Sequence, residues 1–155
     1  MGRYKIFFII TLIIVILDQI TKFIIMDSFA IHQSIEIIPG IFNLTYIRNP
    51  GAAFGMFRDG SELFRQIFLI GTSIAALIII VYFYYKTQDG LLTKFSLSLI
   101  AGGAVGNLID RIIFGEVIDF LDVHWKSFHW PAFNIADSAI TIGVGITIYT
   151  LYIKR

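Results

Sequence analysis

The chain has 155 residues, of which 57% are hydrophobic and only 15% are charged, and its mean hydropathy is +0.80. This balance lies outside that of soluble globular domains and indicates a membrane protein. The formal net charge is +1 and the basic residues form no patch or run, which excludes a nucleic-acid partner. Because the chain contains no cysteine, disulfides, thiolate metal sites and a cysteine nucleophile are excluded as well.

Four stretches are long and apolar enough to cross a hydrocarbon core at a rise of about 1.5 Å per residue. They cover residues 6–26, 63–85, 91–114 and 133–153. We therefore predict an all-α membrane protein, a single integral membrane domain over residues 1–155 built as a bundle of four transmembrane helices. The first span follows a short basic segment but lacks a small-x-small cleavage site, so we expect it to be retained.

The charges of the connecting segments predict which side of the membrane each one faces. The segments that would share a side with the two termini carry six basic residues and one acidic residue. The opposite segments, residues 27–61 and 114–132, carry three basic and six acidic residues. Because basic segments stay in the cytoplasm, we expect both termini to be cytoplasmic and the two acidic loops to be extracytoplasmic.

The first outer loop, residues 27–61, is too long for a simple connection. Residues 34–38 and 41–48 are rich in β-branched and aromatic residues and are followed by turn residues. The second of these runs alternates apolar and polar side chains, which is the period of a half-buried strand. We predict a small extracytoplasmic β-sheet in this loop, followed by an apolar, glycine-rich flap at residues 51–57.

Unusual polar residues occur in three of the four spans, and the predicted topology places all of them near the outer leaflet. Asp18 and Lys22 lie about 12 and 6 Å from the outer end of the first span. The third span carries a polar stripe, and the fourth carries two polar residues in its first turn. These residues are Gly103, Asn107, Asp110 and Arg111 in the third span, and Asn134 and Asp137 in the fourth. Because the spans cross the membrane in opposite directions, their agreement predicts one shared site.

Ordinary structural roles remain open for several of these groups. Asp18 and Lys22 are one helical turn apart and suit an ion pair that stabilises the helix. Arg111 is adjacent to Asp110 and cannot pair with it on one helix, so a structural partner and a substrate contact both remain open for Arg111. The segment GGAVG at residues 102–106 favours close helix packing over phosphate binding, because its small residues let two backbones approach.

Two further chemistries are weakly indicated. His124 and His129 lie in the second outer loop near Asp122, which is a weak signal for zinc against the alternative of an interfacial anchor. A serine in the second or fourth span could act as a nucleophile with Lys22 as its base, but Asp18 already offers this lysine a partner. We therefore expect neither a metal nor a cofactor.

Asp119 and Asp137 are the leading candidates for catalysis. They flank a polar loop that is long enough to fold back and bring them together. Two carboxyl groups held close in a low dielectric cannot easily both ionise, so one keeps a proton and the pair can serve as general base and general acid on one water. Two solvated or capping acids remain the alternative, because we expect Asp119 to lie in a loop and Asp137 suits a helix N-terminus.

Five short motifs occur in order along nearly the whole chain. They are DQITK at residues 18–22, NPGAAFG at 49–55, GGAVGNLIDR at 102–111, VIDF at 117–120 and FNIADS at 133–138. Together, on a chain with four predicted spans, they closely resemble the signature blocks of the lipoprotein signal peptidase family, also called signal peptidase II. The resemblance implies an aspartyl endopeptidase of the bacterial inner membrane, which removes the signal peptide of a prolipoprotein just before a cysteine that bears diacylglycerol.

The resemblance also implies roles for individual residues and partners for the protein. Matched to the family, Asp119 and Asp137 are the catalytic dyad. The residues that bind substrate or orient the dyad are Asn49, Asn107, Arg111 and Asn134, and the structural positions are Asp18, Lys22, Gly103 and Asp110. A diacylglyceryl prolipoprotein is the implied substrate, membrane lipid surrounds the protein, and the cyclic-peptide antibiotic globomycin is expected in the same cleft. We expect a monomer.

A small transporter or ion-pathway protein is the alternative from a different class. Its ionisable residues would have to form a chain across the membrane. The second span has no charge within its apolar core, and the inner halves of the other spans hold none beyond Lys94. A purely structural membrane subunit would leave the convergence of polar residues at one leaflet unexplained.

Overall fold

The computed structural model describes residues 3–51, 61–87 and 90–153. Its elements, in chain order, are α1 (Arg3–Ser28), β1 (Ser34–Ile38), β2 (Phe42–Asn49), α2 (Glu62–Lys86), α3 (Leu91–Phe114), β3 (Val117–Trp125), β4 (Phe128–His129) and α4 (Ile135–Ile153). All four helices are long and apolar enough to cross a membrane. The predicted fold class, a four-helix membrane bundle with a small β-sheet, is confirmed. The predicted flap lies, apart from Gly51, outside the described residues.

α3 is the central helix and packs against the other three. Its glycines allow these close approaches: a Cβ on Gly103 would overlap the carbonyl oxygen of Ala136 in α4, and one on Gly106 would lie 2.6 Å from Oδ2 of Asp18 in α1. In lipid, where helices gain little from hiding apolar side chains from water, such close packing is a main source of helix association. The glycine segment of α3 therefore serves as a helix-packing surface.

The bundle exposes its apolar side chains and buries polar ones. Phe8, Ile78 and Tyr152 are 67%, 64% and 81% exposed, whereas Asp18 and Asp110 are 0% exposed. Apolar surface of this extent on long helices is suited to contact with lipid. The buried polar residues must in turn find partners inside the bundle, because unpaired charges in such surroundings are costly.

The sheet is antiparallel, with the strand order β1-β2-β3-β4. β1 and β2 lie where the sequence predicts strands, but β3 and β4 come from the second outer loop, so both loops build the sheet. The prediction that Asp119 lies in a loop is wrong, because it lies in β3 and pairs with Ile47 of β2. The first half of β3 is buried on both faces and lacks the alternation that reveals a half-buried strand.

The segment before α4 runs beside β3. The N–H of Phe133 donates to the carbonyl of Leu121 at 3.1 Å, and the N–H of Leu121 donates back at 2.8 Å. Because Phe133 is held in this bridge, α4 begins at Ile135 rather than at residue 133 as predicted. The bridge brings the first turn of α4 alongside Asp119.

A small apolar core fixes the sheet to the bundle. Ile25 of α1, Tyr46 of β2, and Ile118 and Phe120 of β3 are buried against one another. Burial of a large apolar side chain contributes about 1.5–3 kcal/mol. This core holds β3 against the end of α1, near the buried charged residues Asp18, Lys22 and Asp110.

Candidate active site

Asp119 projects from β3 into a polar cluster and is only 2% exposed. Its Oδ2 accepts a hydrogen bond from Nδ2 of Asn49 at 2.9 Å, and its Oδ1 accepts one from Nδ2 of Asn134 at 2.8 Å. Asn49 is itself fixed in a turn, where its Oδ1 accepts from the N–H of Gly51 at 2.9 Å. Burial, assisted by the charge of Asp137, raises the pKa of Asp119 to about 7, although the two amide hydrogen bonds lower it.

Asp137 lies in the first turn of α4 and forms a reciprocal pair with Asn134. Oδ1 of Asn134 accepts from the N–H of Asp137 at 2.9 Å, and Oδ2 of Asp137 accepts from the N–H of Asn134 at 3.3 Å. This is the geometry of a capping box, with Asn134 at the N-cap position and Asp137 three residues later. The same residues therefore begin the helix and orient a carboxylate at its positive end.

Asn134 connects the two aspartates, which we refer to as the dyad. It is 0% exposed. Its side-chain Nδ2 binds Asp119, and its backbone N–H binds Asp137. Since one residue contacts both carboxyl groups, the structure brings Asp119 and Asp137 together.

A second group of carboxyl groups lies beside the dyad. Nζ of Lys22 is 2.7 Å from Oδ2 of Asp18 and 2.7 Å from Oδ2 of Asp110. Asp18 also accepts from the N–H of Ala136 at 2.9 Å, and Asp110 from the N–H of Ile118 at 3.1 Å. We call Asp18, Lys22 and Asp110 the ion cluster. It joins α1 and α3 to α4 and β3, the two elements that carry the dyad.

Gln19 completes the ion cluster and was missed by the sequence reasoning. Its Nε2 donates to Oδ1 of Asp110 at 2.9 Å and to the carbonyl of Gly106 at 3.2 Å. The available signal was an amide beside Asp18 in an apolar span. It also donates to Oδ2 of Asp18 on its own helix at 3.2 Å. Asp110 and Gly106 lie on α3, so the sequence alone did not indicate these two partners.

Asn107 connects the ion cluster to the dyad. Its Oδ1 accepts from Nζ of Lys22 at 3.0 Å and from Nδ2 of Asn134 at 3.1 Å, while its Nδ2 donates to Oδ1 of Asp137 at 2.7 Å. The opposite amide orientation would point N–H groups at an ammonium and at another amide donor. Lys22 therefore ensures that Asn107 presents a hydrogen-bond donor to Asp137.

Arg111 contacts α2 rather than a carboxylate at ion-pair distance. Its Nη1 donates to Oγ of Ser73 at 3.3 Å, a contact that the sequence did not predict. Its buried Nε has no hydrogen-bond partner among residues 3–51, 61–87 and 90–153. Arg111 lies one helical turn from Asn107, and this Nε is not accessible from the protein surface.

The contacts of Lys22 argue against its use as a base for a serine. Its ammonium is engaged by the ion cluster and by Asn107. The serines that could serve as nucleophiles donate instead to backbone carbonyls of their own helices, Ser73 to Leu69 and Ser138 to Asn134. A serine-lysine pair is therefore not assembled.

The two histidines of the second outer loop contact each other. The rings of His124 and His129 stack with their centroids 4.6 Å apart, and Nδ1 of His129 lies 2.9 Å from Oδ1 of Asp122. Within the described part of the chain, no group of three His, Asp or Glu side chains is arranged to hold a metal ion. These residues form the turn end of the β3–β4 hairpin.

A cleft with a volume of about 510 Å³ opens beside Asp137. Its walls are Trp130, Phe133, Asp137, Ser138, Thr141 and Ile142. A cleft of this volume is within the range of sites that enclose a small ligand or several side chains of a peptide. Its walls are largely apolar, so an apolar segment is favoured next to the carboxylate.

The chain is similar along nearly its whole length to known lipoprotein signal peptidases. It is 52% identical over 157 residues to that of Syntrophus aciditrophicus, and the alignment covers 100% of this chain and 98% of the relative. It is 49% identical over 144 residues to that of Geobacter metallireducens, with 93% of this chain and 88% of the relative covered.

Solved structures and the sequence profile of a family lead to the same group of proteins. A bacterial membrane enzyme solved by the in meso method at 1.9 Å resolution is 40% identical, with a TM-score of 0.83 over 94% of this chain and 91% of that chain. A second structure with the same description, at 2.3 Å resolution, is 41% identical, with a TM-score of 0.82 over 94% of this chain and 87% of that chain. The profile of Signal peptidase (SPase) II matches residues 10–153, a range that contains all five motifs. The chain therefore belongs to the signal peptidase II family, the membrane proteases that include the lipoprotein signal peptidases.

Proposed function

We propose that the chain is an aspartyl endopeptidase that removes the signal peptide from diacylglyceryl-modified prolipoproteins, cleaving just before the lipidated cysteine. The observation that carries the proposal is the dyad, because Asp119 and Asp137 are both bound by Asn134 beside an apolar cleft. Membership of the family supports the substrate class. In this proposal residues 1–155 form one membrane domain that acts as a monomer and uses neither metal nor cofactor.

The two carboxyl groups have the different environments that acid and base catalysis require. Burial raises the pKa of Asp119 to about 7, so this residue keeps a proton below that pH. Asp137 accepts hydrogen bonds from Asn107 and Asn134 at the N-terminus of a helix, and both features stabilise a negative charge. Asp119 is therefore assigned as the general acid and Asp137 as the general base.

The proposed reaction uses a water held between the two carboxyl groups. Asp137 takes a proton from the water as its oxygen bonds to the scissile carbonyl carbon, and Asp119 gives its proton to the carbonyl oxygen. The gem-diol then collapses as Asp137 passes its proton to the departing nitrogen, the C–N bond breaks, and Asp119 takes back a hydroxyl proton. The products are a carboxylic acid on the signal peptide and an amino group on the lipidated cysteine.

The polar residues around the dyad divide into two groups in this mechanism. Asn49, Asn107 and Asn134 orient the carboxyl groups, since each donates a hydrogen bond to one or both of them. Arg111 is assigned to the substrate because of the resemblance of the motif GGAVGNLIDR to the family and because Arg111 lies one helical turn from Asn107. Globomycin is expected to compete for the same cleft.

The proposed location is the bacterial inner membrane, with both termini in the cytoplasm and the dyad near the extracytoplasmic leaflet. The basic segments on the side of the termini support this orientation. A signal peptide lies across the same membrane, so its cleavage site can reach a dyad at that depth. The apolar walls of the cleft suit a substrate that approaches from lipid.

A cleavage assay on matched substrates tests the proposal. Purified protein is incubated with a diacylglyceryl-modified prolipoprotein and with its unmodified form, and the products are identified by mass spectrometry. We expect cleavage of the lipidated form alone, leaving the lipidated cysteine at the new N-terminus. Asp137→Asn is expected to leave the substrate intact, whereas the control Asp27→Asn, which neutralises an exposed carboxylate at the end of α1, should cut normally. Cleavage at another bond, or cleavage by Asp137→Asn at the wild-type rate, would overturn the proposal.

A further inference from the structure

The hairpin formed by β3 and β4 carries three exposed aromatic side chains. Trp125, Phe128 and Trp130 are 68%, 70% and 62% exposed, and Lys126 at the turn has a left-handed backbone with φ 57°. We call residues 123–130 the aromatic hairpin. Large apolar side chains clustered on a surface mark contact with a membrane or with a partner.

The aromatic hairpin forms one side of an apolar groove with a volume of about 350 Å³. The walls of this groove are Ile41, Val123, His124, Trp125, Phe128 and Trp130. All of these side chains except His124 are aliphatic or aromatic, and Nε2 of His124 is engaged by Oδ1 of Asn43 at 3.3 Å. A groove with such walls fits a hydrocarbon chain better than a polar or charged ligand.

Trp130 connects this groove to the membrane-spanning surface of the bundle. The same residue lines the cleft beside α4 together with Thr141 and Ile142. At 1.5 Å per residue, Ile142 lies about 10 Å along α4 from its first residue, Ile135. Because α4 is a candidate membrane span, Trp130 is level with a part of the protein that lipid surrounds.

Polar contacts hold the aromatic hairpin in a fixed shape. His129 binds Asp122 through Nδ1 at 2.9 Å and stacks on His124. Asn43 of the neighbouring strand also donates to Asp122, at 2.9 Å. Against the effect of burial, the hydrogen bonds from His129 and Asn43 lower the pKa of Asp122. These contacts fix the backbone that carries the exposed aromatic side chains.

We infer that the aromatic hairpin inserts into the lipid leaflet on the side of the dyad and that its groove holds an acyl chain of a phospholipid. Tryptophan favours the membrane interface, where its ring lies in apolar surroundings and its N–H can reach water. Lys126 at the turn brings a positive charge to the level of the lipid phosphates. The inference depends on the four helices spanning the membrane and does not depend on the proposed cleavage.

Insertion of the aromatic hairpin has a consequence for the dyad. β3 is joined to α3 at one end and to the aromatic hairpin at the other, so lipid fixes both of its ends. With a rise of about 3.3 Å per residue, Trp125 lies about 20 Å along the strand from Asp119. The strand then runs along the membrane surface, and the depth of Asp119 is set independently of any substrate.

Intrinsic fluorescence tests the inference, because Trp125 and Trp130 are the two tryptophans of the chain. The protein is reconstituted into phosphatidylcholine vesicles with brominated acyl chains, and Trp125→Phe and Trp130→Phe each leave one reporter. We expect strong quenching of both reporters by brominated lipid and protection of both from iodide present on the two sides of the vesicle. Quenching of either reporter by iodide as in free tryptophan, without quenching by bromine, would overturn the inference.

A matched pair of variants tests the groove itself. In the Trp125→Phe background, Phe128→Ser removes one wall of the groove, and we expect bromine quenching at Trp130 to become weaker, with the remainder due to the surrounding leaflet. Ile37→Ser, which changes a 50% exposed side chain on β1, should leave that quenching unchanged. Equal quenching in the two variants would remove the groove as the site of the acyl chain. Neither readout involves cleavage, so its failure is distinct from failure of the proposed function.

Discussion

The ion cluster and the dyad both hold aspartate side chains in similar surroundings, but they differ in the hydrogen-bond donors that bind these side chains. Each contains two aspartates in the polar region where α1, α3, α4 and β3 meet. In the ion cluster, an ammonium lies 2.7 Å from Asp18 and 2.7 Å from Asp110. In the dyad, the hydrogen-bond donors to Asp119 and Asp137 are amides and a backbone N–H, which carry no net charge.

The difference shows that the partner decides what a buried carboxyl group can do. Protonation of Asp18 or Asp110 would weaken an ion pair in surroundings where a charge left over is costly. Neutral donors orient Asp119 and Asp137 without fixing their charge, so the dyad can hold a proton and release it. Carboxyl groups bound by lysine therefore build the scaffold, and those bound by amides remain available for acid-base chemistry.

Replacement of either dyad aspartate is expected to have the largest effect. Asp119→Asn and Asp137→Asn each remove a proton donor or acceptor, so the cleavage rate should fall by about 10²–10⁴-fold. The free energy of unfolding should fall by about 1–3 kcal/mol, because one N–H of the new amide faces a donor that the carboxylate accepted from, but no buried charge loses its counter-ion. Cleavage kinetics and thermal unfolding of the same preparations measure both quantities. If a variant cleaves the substrate at the wild-type rate, the aspartate that it replaces is not a catalytic residue.

Loss of the lysine in the ion cluster should reverse this pattern. Lys22→Met leaves two buried aspartates without their cation, and we expect the free energy of unfolding to fall by about 3–5 kcal/mol. Lys86→Met, which changes an exposed lysine at the end of α2, is the control and should alter it by about 0.5 kcal/mol or less. Denaturation in detergent micelles measures the difference. Equal stabilities of the two variants would contradict the role of the ion cluster as scaffold.

The residue that joins the two regions should show an intermediate effect on activity. Asn107→Ala removes the donor to Asp137, and a hydrogen bond to a charged group is worth about 1.5–3 kcal/mol, or roughly 10- to 100-fold in kcat. We expect KM to change little, because in the proposed mechanism Asn107 orients the base rather than the substrate. Asn43→Ala removes a similar amide from Asp122, outside the dyad, and serves as the control. Equal kcat values for the two variants would show that Asn107 does not act through Asp137.

The raised pKa of Asp119 also predicts a dependence on pH. Asp119 has a pKa of about 7 in the folded protein against about 4 when unfolded, so between these values the folded state binds more protons. Stability should therefore fall as the pH rises from about 4 to 7 and level off above, and the cleavage rate should fall as the pH rises through about 7. In Asp119→Asn, the fall in stability between about pH 4 and 7 should be absent. Unfolding measured across that pH range checks the sign, and a rise in stability attributable to Asp119 would contradict it.

The sequence predicts the helices well, because a long apolar run of this kind indicates a membrane-spanning helix and little else. β1 and β2 are also predictable from their composition and alternation. β3 is not, since its first four residues are buried on both faces and resemble any short apolar run. The start of α4 is displaced for a related reason, because the bridge of Phe133 to Leu121 depends on a strand that the sequence does not reveal.

The candidate site is predictable in its members but not in its contacts. Helical spacing and predicted depth group the polar residues at one end of the bundle, and the resemblance selects Asp119 and Asp137 among them. Whether the asparagines bind substrate or orient the dyad stays open in the sequence, because their partners lie on other elements. The hydrogen bond of Arg111 to Ser73 depends on how α2 packs on α3. The sequence of α2 does not indicate this packing, because its apolar core carries no charged residue.

The most direct measurement of the difference between the two regions is infrared spectroscopy of protonated carboxyl groups. Wild-type protein and the variants Asp119→Asn and Asp18→Asn are compared as the pH is raised through about 7. We predict that wild type shows a carboxylic C=O band that disappears over this range. Asp119→Asn should lack this band, and folded Asp18→Asn should show it with the same dependence on pH. A band that survives in Asp119→Asn and is lost in Asp18→Asn would show that the proton belongs to the ion cluster, and would contradict the account.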